Sequence, residues 1–65
     1  MQDWQQRVVE ERDQLKERLG KLRAFIDNNP AFAALDVAER VRLRDQRWHM
    51  SQYLAVLDRR IAAFT

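Results

Sequence analysis

One stretch of this sequence can bend a helical chain: DNNPAFAALD, residues 27–36, which contains the only proline. Upstream of it, Trp4, Val8, Leu15, Leu19, Leu22 and Ile26 recur at steps of three, four and seven. That spacing places them along one face of a helix. In heptad form Val8, Leu15 and Leu22 make one seam line, and Arg12, Leu19 and Ile26 make the other. Downstream, Leu43, Met50, Leu57 and Phe64 repeat every seven residues, beside Arg47, Leu54 and Ile61. One glycine and one proline in 65 positions leave little punctuation for strands and turns. The pattern predicts an all-α chain of one domain, with a helix over about 3–27, a connector over 28–35 and a helix over about 37–64. A connector this short joins antiparallel neighbours, so the fold expected is a two-helix hairpin.

Local residues refine that expectation. Asp3 suits the N-cap of the first helix, and acidic Glu10 and Glu11 lie toward its positive end. Asn28 and Asn29 end it, because the residue before Pro30 avoids the α region. Pro30 fits the first position of a short helical turn through Ala34, capped by Asn29. Phe32 and Leu35 then fold back as a plug over the open end. Asp36 followed by Glu39 forms a capping box for the second helix. Gly20 costs about 0.5–1 kcal/mol against alanine in mid-helix; either close approach of a neighbouring helix explains it or the position carries no structural meaning. A bend centred near residue 31 or 32 sets Leu22 level with Val41, Leu15 with Trp48, and Val8 with Val56.

Size then limits how such a hairpin is stabilised. A 7.8 kDa chain hides only about 60% of its unfolded surface. Small domains usually add disulfides, a metal or partner chains. The sequence has no cysteine and only His49 as an imidazole, so no disulfide or metal site is expected, and none of the cofactor motifs is present. The absence of cysteine fits a reducing cytoplasm. No apolar run approaches the ~18 residues that cross a bilayer, and no signal-peptide pattern opens the sequence. The remaining support is self-association. Val37, Val41, Trp48, Ala55 and Ala62 widen the apolar stripe of the second helix beyond what one partner helix covers. A helical homo-oligomer is therefore expected.

Charge is unevenly spread along the chain. Residues 1–36 carry six basic and seven acidic side chains, whereas residues 37–65 carry six arginines against Glu39, Asp45 and Asp58. Four of those arginines fall in RVRLRDQR, residues 40–47. An anionic partner is admissible on this distribution. Catalysis is not expected. His49 and Ser51 are two apart and point about 200° from each other on a helix, so they make no nucleophile–base pair. Glu10, Glu11 and Asp13 read as solvated helix charges.

Two arrangements can bind. Arg40, Arg42, Arg44, Arg47, Trp48 and Tyr53 interleave guanidiniums with aromatic rings, a combination that clamps phosphate and stacks a base. The structural alternative makes Trp48 core or interface and leaves the arginines solvated or paired with Asp45. The second arrangement is Gln46, Tyr53 and Arg60, spaced by heptads beside the seam. The expected alignment brings Tyr53 and Arg60 level with Arg7 and Glu11. Its structural alternative is a polar network that fixes helix register. Arg12 and Arg47 on seam positions need either carboxylates or an anionic ligand opposite them, since an unpaired buried charge is costly.

RVVEERDQL at 7–15, LRAFI at 22–26 and LRDQRWHMSQYLAVLDRRIAAF at 43–64 together resemble short proteins of tailed-phage genomes, labelled crAss-phage-related small proteins. The resemblance covers nearly the whole chain and includes Arg7, Glu11, Gln46, Tyr53 and Arg60. Arg47 and Trp48 depart from the pattern, where the similar proteins carry an aliphatic residue at the first. The resemblance implies a phage accessory protein, expendable for the virion and expressed in the bacterial host cytoplasm. By analogy with other small phage proteins, an anti-defence sponge is expected, one that holds a cyclic oligonucleotide or an ADP-ribose derivative without cleaving it. The ligand residues would be Arg7, Glu11, Gln46, Trp48, Tyr53 and Arg60. A helical module that binds a host or phage protein is the alternative. Nucleic-acid binding ranks last, because two antiparallel helices present no angled recognition helix.

Overall fold

The computed structural model describes residues 1–64. Three helices follow one another: α1 (Asp3–Asn28), α2 (Pro30–Ala34) and α3 (Val37–Ala62). The long helices α1 and α3 pack side by side, and Trp4 meets Phe64 at one end while Asp27 meets Arg47 toward the other. The hairpin is antiparallel, 46 Å long and 15 by 14 Å across.

Capping explains where the helices begin. The cap of α1 is Gln2, not Asp3: the Gln2 backbone N–H donates to Gln5 Oε1 at 2.7 Å. Asp3 becomes the first helical residue, where its carboxylate still faces the positive end of the helix. Asn29 accepts from the Ala31 N–H at 2.9 Å with Pro30 at the first position of α2. Asp36 accepts from the Glu39 N–H at 2.7 Å. The second long helix closes at Ala62, two residues before the Phe64 to which the apolar repeat extends. Phe64 still lies against the core.

The seam lines read from the heptads are the buried lines. Val8, Leu15, Leu19, Phe32 and Leu57 are buried, Leu19 and Leu57 completely. Met50, Leu54, Ile61 and Phe64 pack against Val8, Leu15 and Leu57. Phe32 sets its ring edge-on to Phe25 at 6.0 Å, and the Arg44 guanidinium lies 5.2 Å above it. The plug expected of Phe32 is thus in place, with a cation closing its outer side.

The expected register also fails. Leu15 is not level with Trp48, which is 60% exposed, and Val41 and Val56 are exposed as well. Leu15 instead packs within the cluster of Leu54 and Leu57, and Asp27 and Arg23 reach Arg47 and Ser51. The cause is α2. It occupies the end of the hairpin as a helical turn, so a bend placed at its centre misjudges where α3 comes alongside α1. At Gly20 the second of the two readings holds: an added Cβ would meet nothing within 4 Å. No close helix approach requires this glycine.

Candidate functional site

The two flanks of the α1–α3 seam differ in chemistry. On one flank Arg12 bonds Asp13 at 2.7 Å and Asp58 at 3.1 Å, Arg23 donates to Ser51 Oγ at 3.1 Å, and Arg47 donates to Asp27 at 2.9 Å. Carboxylates therefore face both seam arginines, and no ligand is needed to neutralise them. The sequence foresaw the need for partners but not their identity. Arg23–Ser51 went unread because neither residue stands on an apolar line.

On the opposite flank Tyr53 of α3 donates its phenol hydrogen to Glu11 of α1. That bond raises the phenol above its ordinary pKa; desolvation and the Glu11 charge add to the rise, and the charge of Arg60 opposes it. The opposition places Arg60 within electrostatic reach of Tyr53. Arg60 follows Tyr53 by seven residues and Arg7 precedes Glu11 by four, so each shares its neighbour's helix face. Neither Arg7 nor Arg60 has an ion-pair partner among the described residues. The result is a phenol–carboxylate pair tying two helices, with two uncommitted guanidiniums on the same strip.

Gln46 continues this strip one heptad earlier on α3, its amide 3.8 Å from Met50 Sδ. Trp48 does not join it. At about 100° per residue, Trp48 points roughly 140° away from Tyr53. It lies on the outer side of α3, edge-on to His49 at 5.1 Å. The basic–aromatic stretch is likewise dispersed: Arg42 pairs with Glu39 at 3.3 Å, Arg44 covers Phe32, and Arg47 holds Asp27. Arg40 Nε is buried without a partner. An open groove of about 630 Å³ lies elsewhere, between Lys21, Phe25, Asn28 and Pro30 at the α1–α2 corner. No group of His, Cys, Asp and Glu suited to a metal ion occurs among the described residues. Among the described residues no helix is long and apolar enough to cross a membrane.

The fold and the polar strip together define a small helical-hairpin protein whose inter-helix flank carries a phenol bonded to a carboxylate, with an arginine on each helix along the same strip. The chain belongs to the Sequestin family, whose model matches residues 2–63. That family name is consistent with a sequestering role. Among curated proteins and solved structures nothing matches the chain.

Proposed function

We propose that the chain is a phage accessory protein, of the crAss-phage-related kind its sequence resembles, that sequesters a nucleotide immune signal in the host cytoplasm. The signal is a cyclic nucleotide or an ADP-ribose-type molecule, and it is held without being cleaved. The observation that carries this reading is the Glu11–Tyr53 contact with Arg60 and Arg7 on the same strip, neither in an ion pair among the described residues. Phosphate oxygens between two guanidiniums gain charge-assisted bonds in a geometry that lysine does not reproduce. Tyr53 is 45% exposed, so its ring has a free face on which a base can stack. Glu11 accepts hydrogen bonds from sugar hydroxyls or base amines, and Gln46 supplies both a donor and an acceptor. Ser51 and His49 face different directions, which favours retention over turnover.

Calorimetry against cyclic dinucleotides and ADP-ribose derivatives tests the reading. Arg60→Ala and Tyr53→Ala each weaken binding about tenfold or more, given the ~1–3 kcal/mol of one stacked base or one charged hydrogen bond. Helix content stays unchanged, and the ligand is recovered intact after denaturation. If the wild type binds none of them, sequestration of a nucleotide is wrong. The interaction module, a helical hairpin that binds a host or phage protein, is then the reading that stands.

A further inference from the structure

The outer side of α3 has an internal order that the hairpin does not use. Val41, Trp48, Ala55 and Ala62 repeat by heptads. Val41 is 48% and Trp48 60% exposed, Ala62 is exposed and Ala55 only partly covered. Read backwards, the line is complementary to itself in volume: valine comes opposite alanine, and tryptophan opposite alanine. Arg44, Ser51 and Asp58 border this line at about −60°, and Asp45, Gln52 and Arg59 at about +40°, at 100° per residue. A two-fold axis perpendicular to the helix makes each border meet its own copy in reverse. Asp45 then faces the partner's Arg59, and Arg44, whose guanidinium lies over Phe32 within its own chain, comes level with the partner's Asp58 and swings from that ring to reach it. Gln52 meets the partner's Gln52 on the axis.

We infer that two copies of this chain pair through α3 as an antiparallel, isologous dimer, with Trp48 of each copy seated on the partner's Ala55. Charge alone does not set the direction, because a parallel pair also matches Arg44 with Asp45 and Asp58 with Arg59. Volume does. Parallel packing stacks Trp48 on Trp48 and leaves gaps at the Ala55 and Ala62 layers, whereas the antiparallel pair puts one large and one small side chain in every layer. The macrodipoles of the two helices also oppose one another in this arrangement. The shape of the molecule agrees: at 46 Å long and only 15 by 14 Å across, it reaches the roughly 800 Å² per partner of a stable interface only by lengthwise contact. Asp58 shares its carboxylate between Arg12 of its own chain and the partner's Arg44, so the dimer face joins the carboxylate-lined flank of the seam. Tyr53, about 140° around the helix from this line, stays in solvent.

The lack of cysteine makes a direct test available. Gln52→Cys places two thiols together on the axis and forms a disulfide dimer on mild oxidation. Ala62→Cys does not, because position 62 lies level with the partner's position 41, about 30 Å from its own copy. Cross-linking of both variants means a parallel pair, cross-linking of neither means no such interface, and cross-linking of Ala62→Cys alone means a different one. Each of these three results overturns the inference. In sedimentation of the cysteine-free protein, Asp45→Arg raises the dimer dissociation constant about tenfold, and adding Arg59→Asp restores it. A wild type that stays monomeric throughout, or a double reversal that does not rescue, also overturns it. The dimer does not depend on a nucleotide being bound: Tyr53→Ala leaves the cross-linking pattern as it is, so failure of the ligand reading and failure of the dimer are separable.

Discussion

Tyr53 is the sole tyrosine, set against two tryptophans, so its ionisation can be followed by ultraviolet absorbance. Its phenol donates to Glu11, and the bond, desolvation and the carboxylate charge raise its pKa while Arg60 opposes them. The folded state thus holds this proton more tightly than the unfolded chain. The resulting stabilisation is complete below the ordinary value of 10.0 and is lost as pH rises through the higher folded value. A titration in buffer is expected to show a midpoint above 10.0, and one in concentrated urea a midpoint near it. Glu11→Gln returns the folded midpoint toward the unfolded one, since the charge and the strong acceptor leave together. A wild-type midpoint at or below the ordinary value contradicts the inter-helix contact. Leu57 makes the opposite case at the same scale. It is fully buried in the seam, so Leu57→Asp places an unpaired charge in the core. That change is expected to abolish the cooperative helical transition seen by circular dichroism.

The helices themselves carry their limits in a few polar residues, and two of the three N-caps are legible in the sequence. Asn29 and Asp36 cap α2 and α3 where the sequence puts them, because a short side-chain acceptor before a helical run has one favourable use. Asp36→Ala is expected to lower stability by about 1 kcal/mol in chemical denaturation. The first cap was misread because glutamine is a poor cap by composition, and only the reciprocal Gln5 contact reveals it. The sequence leaves Gly20 with two readings, and the structure decides between them. Nothing approaches the space its missing side chain would fill, so Gly20→Ala is expected to stabilise the protein by about 0.5–1 kcal/mol. A loss of stability would mean that a neighbour occupies this site in solution. The seam was legible because heptad spacing defines one face, whereas register was not. Register depends on how α2 folds at the turn, and the contacts that report it, Arg23–Ser51 and Asp27–Arg47, each join an arginine to a short polar side chain off the apolar lines, a pairing that heptad spacing does not reveal. The polar strip was legible by the same logic as the seam: Glu11 and Tyr53 sit beside it on opposite helices. Trp48 was grouped with them by proximity in sequence, which helical rotation undoes.

For the molecule as a whole, the deciding quantity is how little of it is interior. Val8, Leu15, Leu19, Phe32 and Leu57 are its buried apolar residues among those described, while Trp4, Val37, Val41, Trp48 and Val56 are exposed. Burying a large apolar side chain contributes about 1.5–3 kcal/mol, and ordering each residue costs about 1–2 kcal/mol of backbone entropy. A single hairpin with so short a list of interior residues is marginal, and the exposed line on α3 is the apolar surface left to offset that cost. Stability coupled to association rises with concentration, because the partner binds the folded chain and not the unfolded one. The midpoint of thermal unfolding is therefore expected to climb as the protein is concentrated about a hundredfold, by an amount set by roughly RT ln of that ratio, near 2.7 kcal/mol. Trp48→Ser removes the largest knob from the outer face without touching the seam, since Trp48 faces solvent within one copy. Its midpoint should be lower and independent of concentration, with the dilute-limit helix content of the wild type retained. A wild-type midpoint that does not move with concentration would show that the hairpin is stable alone, and would leave the apolar line on α3 to a different partner.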